Sequence, residues 1–329
     1  MMENRENREI QGTILEIIRM STEDGPGIRT TVFFKGCSLN CSWCHNPESI
    51  SSKPQIQWIA TSCIGCGICV NTCDKSALEK TEKGITINRS LCNGCVLCTE
   101  ECPATAMELL GKKWNVHDLV SELVKDRAYF ESSGGGVTLS GGEAALQNDF
   151  CLALLKELKS RRIQTALDTC GQVSQAVLEG LLPYVDILLY DIKEIETEGH
   201  KKHTGVGSEK ILANAVFAAN YKKTHLFPKT LWIRTPVIPG ATDTAENIRQ
   251  IGDFISANLQ GAVARWELCA FNNLCRDKYK RLGIEWSFAD TELPERALME
   301  KLSLIAKSSV TPSIVYWSGS TKLSETQIL

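Results

Sequence analysis

The chain has 329 residues, 43% of them hydrophobic and 23% charged, and a net charge of −3. That composition suits one large core with room for a small extra module, and its slight acidity lacks the basic footprint of a nucleic-acid binder. The first ten residues, Met1 to Ile10, are polar and charged, and no later stretch is apolar for long enough to span a bilayer, so no signal peptide and no membrane partner are expected and a cytoplasmic location is.

In chain order, the first recognisable stretch is Asp24-Gly25-Pro26-Gly27-Ile28-Arg29-Thr30, a Pro-Gly turn leading into a strand over Thr31–Phe34. It is followed by Gly36-Cys37-Ser38-Leu39-Asn40-Cys41-Ser42-Trp43-Cys44, a C-x₃-C-x₂-C run with no fourth cysteine at a similar distance. Three thiolates leave one iron of a four-iron cluster uncapped, and an open metal position marks a catalytic site. His45-Asn46-Pro47-Glu48-Ser49 follows directly. A histidine beside a metal site commonly orients its neighbours, and His45 is read in that positioning role.

Cysteine usage is uneven. Eleven of fifteen lie between Cys37 and Cys102, while Cys151, Cys170, Cys269 and Cys275 are scattered. With no secretion signal, so many thiols point to metal ligation in a reducing compartment. Residues 54–113 read as an inserted module with two similar halves and a short strand over Ile85–Ile87. One half places Cys63, Cys66, Cys69 and Cys73, the other Cys92, Cys95, Cys98 and Cys102, both at C-x₂-C-x₂-C-x₃-C spacing. That is the bacterial ferredoxin run. Paired zinc knuckles are the other reading, but they separate two C-x₂-C units by a longer loop.

From residue 114 helical stripes alternate with short apolar runs. Leu119, Val120, Leu123 and Val124 make one stripe, and Ile248, Ile251, Phe254 and Ile255 another. Strands are expected at Gly136–Leu139, Gln164–Leu167, Ile187–Tyr190, Leu231–Arg234 and Arg265–Leu268, several too continuously apolar for a one-faced sheet. With Thr31–Phe34 they make six βα units, an α/β fold with a partial (β/α)₆ TIM-like barrel. The core is expected over 12–53 and 114–310, with 311–329 a C-terminal segment. Chemistry in such barrels collects at the C-terminal ends of strands, which here carry Gly141-Gly142-Glu143, Asp168-Thr169, Asp191-Ile192-Lys193, Arg234 and, after the sixth strand, Asn272. Carboxylates on adjacent strand ends would repel unless a cation or lysine stood between them.

The C-x₃-C-x₂-C run after a first strand resembles the radical S-adenosylmethionine superfamily, whose cluster chelates that cofactor. The Asp24–Arg29 signature, Cys44–Ser49, Ser133–Glu143, and the strand ends Leu167–Gly171 and Leu189–Lys193 narrow the resemblance to activating enzymes of glycyl radical enzymes, similar to the pyruvate formate-lyase activating enzyme. The subgroup is the one with a two-cluster ferredoxin insert. The resemblance runs from about Ile14 to Gly283 and implies three [4Fe-4S] clusters, one on Cys37, Cys41 and Cys44, the others on crossed sets, Cys63, Cys66, Cys69 and Cys102, and Cys92, Cys95, Cys98 and Cys73. It implies that Trp43, Cys44 and His45 contact the adenine side of S-adenosylmethionine and that Gly142 takes its ammonium, with the Glu143 carboxylate aimed at the same amine. By the same resemblance Asp191, Ile192, Lys193 and Arg234 serve the cofactor, Lys193 at its carboxylate, and Asp168, Thr169 and Asp191 look like a monovalent-cation site. Asp24 would lie near the partner's glycine loop. Asn272 stands where many relatives carry histidine, so a hydrogen-bonding contact survives there without acid–base chemistry. Asp74 replaces the usual proline after Cys73, and Ala144 the usual proline after Glu143.

The function so implied is reductive cleavage of S-adenosylmethionine to methionine and 5′-deoxyadenosine, with removal of a hydrogen from a backbone glycine of a large glycyl radical enzyme. A low-potential flavodoxin or ferredoxin would supply the electron. A radical enzyme acting on a small molecule or peptide would share the open cluster but not Asp24–Arg29. A plain ferredoxin-like electron carrier would leave Cys37–Cys44 and Gly141–Glu143 without a use.

Overall fold

The structure, a computed structural model, describes residues 9–322. Residues 1–8 of the polar N-terminal stretch and 323–329 of the C-terminal segment lie outside that range.

In chain order the strands are β1 (Gln11–Ser21), β2 (Arg29–Phe34), β3 (Gln55–Trp58), β4 (Leu78–Thr81), β5 (Gly84–Ile87), β6 (Met107–Leu110), β7 (Lys112–Asn115), β8 (Gly136–Gly141), β9 (Gln164–Thr169), β10 (Ile187–Asp191), β11 (Thr230–Val237), β12 (Val263–Ala270) and β13 (Val315–Ser318). Seven of them, β2, β8, β9, β10, β11, β12 and β13, lie side by side in that order and run parallel. β1 pairs antiparallel with β2, and β7 antiparallel with β1. The sheet is open, with β13 and β7 at its edges.

All six expected strands occur, as β2 and β8 to β12. The structure adds a seventh parallel strand from the segment after residue 310, and two antiparallel strands beyond β2. β13 was hard to read because it has four residues, of which only Val315 is buried. β1 is buried early and then alternates toward solvent, a pattern too mixed to register as a core strand.

Helices cover the sheet through the stripes the sequence displays. Helix Val116–Leu123 starts where the Asn115 side chain accepts from the Asp118 N–H at 2.8 Å, and Thr244 caps helix Ala245–Asn258 through the Asn247 N–H at 3.1 Å. Leu119, Val120 and Leu123 on the first, and Ile248, Ile251 and Ile255 on the second, are buried in one continuous core with the sheet.

Residues 55–110 stand off this sheet as two small sheets, β3 with β6 and the hairpin β4–β5. They share a small core of Ile56, Cys69, Leu78, Ile85, Cys98 and Met107. Among the described residues no helix is long and apolar enough to cross a membrane.

Candidate active site

Seven parallel strands end on the same side of the sheet, and there a cavity of about 520 Å³ opens. Cys37, Cys41 and Cys44 line it on the loop after β2, Ser140 to Gly142 at the end of β8, Asp168 and Thr169 at the end of β9, Asp191 at the end of β10 with Lys193 just after it, Arg234 on β11, and Cys269 on β12.

The cysteine loop is held by its backbone. Gly36 and Cys37 donate to the carbonyls of Ser49 and Ile50 at 2.6 and 3.0 Å, and Asn40 and Ser42 donate to Thr204 and His203 at 2.8 Å, the last carbonyls of helix Thr197–Thr204. Gly142 passes so close to this loop that a Cβ on it would sit 2.1 Å from the Gly36 carbonyl oxygen; only glycine permits that approach. On the far side, Trp43 packs with Ile238, Phe271, Cys275, Tyr279 and Trp286. Tyr279 donates to the Cys44 carbonyl at 2.9 Å and Trp286 to that of Ser42 at 2.9 Å. Burial pushes the Cys37 thiol up to about 11 and raises Cys41 and Cys44 as well. These sulfurs stay protonated until a metal takes them.

Two acid–base pairs floor the cavity. Asp168 Oδ2 lies 3.3 Å from Arg234 Nη1 and accepts from Ser140 at 2.7 Å, while Lys193 donates to Asp191. Register places Asp168 beside Leu189 and Asp191 beside Arg234, so the Arg234 charge acts on both acids while Lys193 pairs with Asp191. Burial opposes the charge on Lys193, but the Asp191 carboxylate beside it overcomes burial and holds the amine protonated. Burial also raises the Asp168 carboxyl to about 6, against the pull of Arg234. Asp168 Oδ1 and Arg234 Nε are buried with no partner. Unpaired buried groups of this kind cost roughly 1–3 kcal/mol each and ask for a ligand.

Glu143 turns away from the cavity. Fully buried, it accepts from the Thr169 hydroxyl at 2.8 and 2.9 Å, from the Cys170 N–H at 2.9 Å and from the Cys170 thiol at 3.0 Å. Burial raises its carboxyl and, with the nearby Glu143 charge, lifts the Cys170 thiol well above its ordinary value. Cys170 lines the cavity yet is engaged with Glu143.

Asp24 lies at the cavity wall. Ser21 and Thr31 hydroxyls donate to its Oδ2 at 2.6 and 2.7 Å. The Asp24–Arg29 turn is fixed by the buried Arg29, which donates to Thr138 Oγ1 at 2.6 Å, Gln164 Oε1 at 2.7 Å, the Val137 carbonyl at 3.0 Å and the Pro26 carbonyl at 3.2 Å.

In the 55–110 lobe, Cys73, Cys92, Cys95 and Cys98 line one small cavity, and Cys63, Cys66, Cys69 and Cys102 another. Among the described residues no three His, Cys, Asp or Glu side chains converge on a single-ion site; thiolates that each take a separate corner of a four-iron cube need not do so.

Residues 23–211 match the protein family described as a 4Fe-4S single cluster domain. Over 306 residues, 92% of this chain and 95% of the other, the sequence is 36% identical to the (2S)-3-sulfopropanediol dehydratase activating enzyme of Klebsiella oxytoca. Over 305 residues, 92% and 98% of the two chains, it is 40% identical to the (2S)-3-sulfopropanediol sulfolyase activating enzyme of Bilophila wadsworthia (strain 3_1_6). The chain belongs to the activating enzymes of glycyl radical enzymes. As an activating enzyme it works with an iron–sulfur cluster, S-adenosylmethionine and a glycyl radical enzyme as partner. Its fold is that of a radical SAM methyltransferase from Sphaerobacter thermophilus, at TM-score 0.51 and 12% identity over 94% of this chain and 78% of that one.

In this activating enzyme the cavity gathers Asp24, Cys37, Cys41, Trp43, Cys44, His45, Gly142, Asp168, Thr169, Asp191, Lys193, Arg234 and Asn272. Ile192 does not join them. Its side chain is in the main core, and its backbone bonds to the Arg234 carbonyl at 2.9 Å and the Thr235 hydroxyl at 2.9 Å; one residue past β10 the chain still keeps the strand's alternation, with Asp191 and Lys193 toward the cavity and Ile192 away from it. The expectation of Glu143 beside the cofactor amine is corrected by its inward turn, and the Thr169 hydroxyl is committed to Glu143. His45 Nε2 meets the Asn272 carbonyl at 2.7 Å, and the Asn272 side chain accepts from the Leu274 N–H at 3.2 Å. Ser140, Cys269, Ser318 and Gly319 also line the cavity, beyond the residues the motifs single out. Ser140 and Cys269 each directly follow an expected strand, Gly136–Leu139 and Arg265–Leu268, and so were within reach of the sequence.

Proposed function

We propose that this activating enzyme carries three four-iron clusters, and that Cys37, Cys41 and Cys44 hold the one at which S-adenosylmethionine is cleaved. The observation that carries this is the convergence of those three thiols on one cavity with the ends of the parallel strands. The donor set fits a cluster with one free corner: of the two other thiols in the cavity, Cys170 is tied to Glu143 and Cys269 stands apart on β12, its thiol directed to the Glu267 carbonyl at 3.9 Å, which leaves the three thiols of the loop after β2 for four irons. When bound and reduced, such a cluster supplies the electron that breaks the sulfonium bond of S-adenosylmethionine, and the adenosyl fragment takes the glycine hydrogen.

The chain's own residues bind, orient and exclude water. Gly142 brings backbone close to the Cys37–Cys44 loop, where carbonyls would receive the cofactor's ammonium. The Lys193 ammonium, in place against Asp191, is available to a carboxylate. Trp43 and His45 form the adenine side, with His45 steadied by the Asn272 carbonyl. Arg234 neutralises Asp168 and offers the unpaired Nε to the cofactor, and the unpaired Asp168 Oδ1, with Asp191 and the Thr169 strand end, suits a monovalent cation. Asp24, fixed by two hydroxyls, faces the partner's glycine loop. Residues 54–113 form the ferredoxin-like insert, supported by the sorting of its cysteines into crossed sets of four, and a low-potential flavodoxin or ferredoxin supplies the electron.

The test is anaerobic reconstitution followed by iron analysis and electron paramagnetic resonance with and without S-adenosylmethionine, then assay of 5′-deoxyadenosine. The expected result is three clusters, one of whose signals changes on cofactor addition and is lost in Cys41→Ala. Full protein ligation of every cluster, blind to the cofactor, would end the proposal.

A further inference from the structure

Resting on the three-cluster reading above, we infer that the set Cys73, Cys92, Cys95 and Cys98 is the inner one, fastened beside the Cys37–Cys44 loop by Arg89, and that it passes the electron directly to the centre on that loop.

Position along β3 separates the two sets. The near end of this strand is anchored to the core: Lys35, two residues before Cys37, donates to Gln55 Oε1 at 2.9 Å and to the Glu48 carbonyl at 2.6 Å. Next along, Ile56 lines the cavity of the Cys92 set, whereas Trp58, farther out, lines that of the Cys63 set. The loop between Cys92 and Cys95 also lies on the strand's approach, since a Cβ on Gly94 would stand 3.1 Å from the Pro54 carbonyl oxygen. At the other set, Ile64 is 69% exposed.

Arg89 joins the inner set to the core. Three residues before Cys92, it donates to the Ile56 carbonyl and, at 3.0 Å, to the carbonyl of Arg281. Arg281 belongs to helix Arg276–Leu282, which packs against both β3 and the Pro47–Ser49 turn. From the same helix Tyr279 donates to the Cys44 carbonyl, and Lys278 reaches the Glu48 carboxylate at 2.7 Å and Asn46 Oδ1 at 2.8 Å. Thus one short helix binds the reactive loop on one side and the Cys92 half of the insert on the other. Burial lowers the Arg89 guanidinium while Cys92 sulfur favours its charge. A cation beside this set stabilises the added negative charge of its reduced state.

The step is a one-electron transfer: the inner set is oxidised, the Cys37–Cys44 centre is reduced, and a reduced flavodoxin or ferredoxin restores the electron to the insert. No proton or bond is exchanged. Arg89 is a positioning residue here.

The experiment reads magnetic coupling in the fully reduced, cofactor-bound protein, through the relaxation rate of the cofactor-sensitive signal. Wild type should show fast relaxation from a neighbouring reduced cluster. Cys66→Ala should keep it and Cys95→Ala should lose it. Arg89→Ala, which removes no thiol, should retain all iron, lower the potential of one insert cluster alone, and slow reduction of the reactive centre by reduced flavodoxin about tenfold, with reduction by dithionite unchanged; Arg89→Lys should restore the potential. Coupling lost in Cys66→Ala but kept in Cys95→Ala, no coupling in wild type, or an Arg89→Ala protein with wild-type potentials overturns the assignment. Iron analysis finding a single cluster in wild type would instead remove the three-cluster reading beneath it.

Discussion

Tyr279 donates its hydroxyl to the Cys44 carbonyl at 2.9 Å while its ring stacks on Trp286, 4.7 Å between centroids and 8° between planes. Both aromatics lie outside any motif, yet both bond to the cysteine loop from behind. Tyr279→Phe keeps the stack and strands the carbonyl, which should cost about 1–2 kcal/mol and lower Tm by roughly 2–4 °C per kcal/mol. Iron content should hold while 5′-deoxyadenosine formation falls several-fold. Trp286→Ala removes packing as well and should cost about 3–5 kcal/mol. Anaerobic thermal melts alongside iron analysis check both.

Glu143 accepts every hydrogen bond aimed at it, from Thr169, Cys170 and the Ala145 N–H at 3.2 Å. Glu143→Gln replaces one acceptor oxygen with an NH₂ that confronts donors. The variant should lose about 1–3 kcal/mol, and cofactor affinity should weaken because Gly142 shifts with its neighbour. Melting temperature and the cofactor-induced change in the cluster signal report the two effects separately. Unchanged stability would mean that the carboxylate is not held by these donors.

Much of this architecture is legible because its chemistry is local. Cysteines that wrap a cluster must follow each other at fixed short intervals, so Cys37–Cys44 and the two insert runs could be read directly. The six parallel strands are also plain, being continuously apolar between helical stripes. What escaped is set by distance. The direction of Glu143 depends on Thr169 and Cys170, 26 and 27 residues on, and nothing in Gly-Gly-Glu announces which way the acid turns. The support of Cys44 by Tyr279 spans 235 residues. Ile192 sits inside a motif whose neighbours face the cavity, and only strand alternation turns it into the core.

Thr31 and Ser21 together hold Asp24 Oδ2. Asp24→Asn retains the size of the side chain and removes the charge that the proposed function assigns to the partner's loop. With the partner enzyme present, glycyl radical formation should fall at least tenfold while cofactor cleavage without the partner changes less than twofold. Thr31→Val should produce a milder version, since Ser21 still holds the carboxylate. Spin counting of the glycyl radical against 5′-deoxyadenosine yield separates the two activities; equal loss of both would place Asp24 in cofactor binding and not at the partner's loop.

Asp186 gives the opposite case, a charged residue at the far end of the sheet, immediately before β10. Its carboxylate meets Lys159 at 2.8 Å and Lys229 at 3.4 Å, and accepts from the Thr165 N–H at 3.0 Å. Burial would raise the carboxyl, but Lys159, the Thr165 amide and Lys229 outweigh it and hold it below the usual value. The unfolded chain therefore binds a proton at a higher pH than the folded one, and stability contributed by Asp186 is full above about pH 4 and lost as pH falls through the depressed folded value. Asp186→Asn should cost about 1–3 kcal/mol at neutral pH, and the gap in urea midpoint between wild type and variant should narrow in acid below about pH 4. Cofactor binding at neutral pH should be unchanged, because this acid is on the opposite end of β10 from Asp191. A gap that stays constant with pH would show that packing, and not the charge, is what the substitution removes.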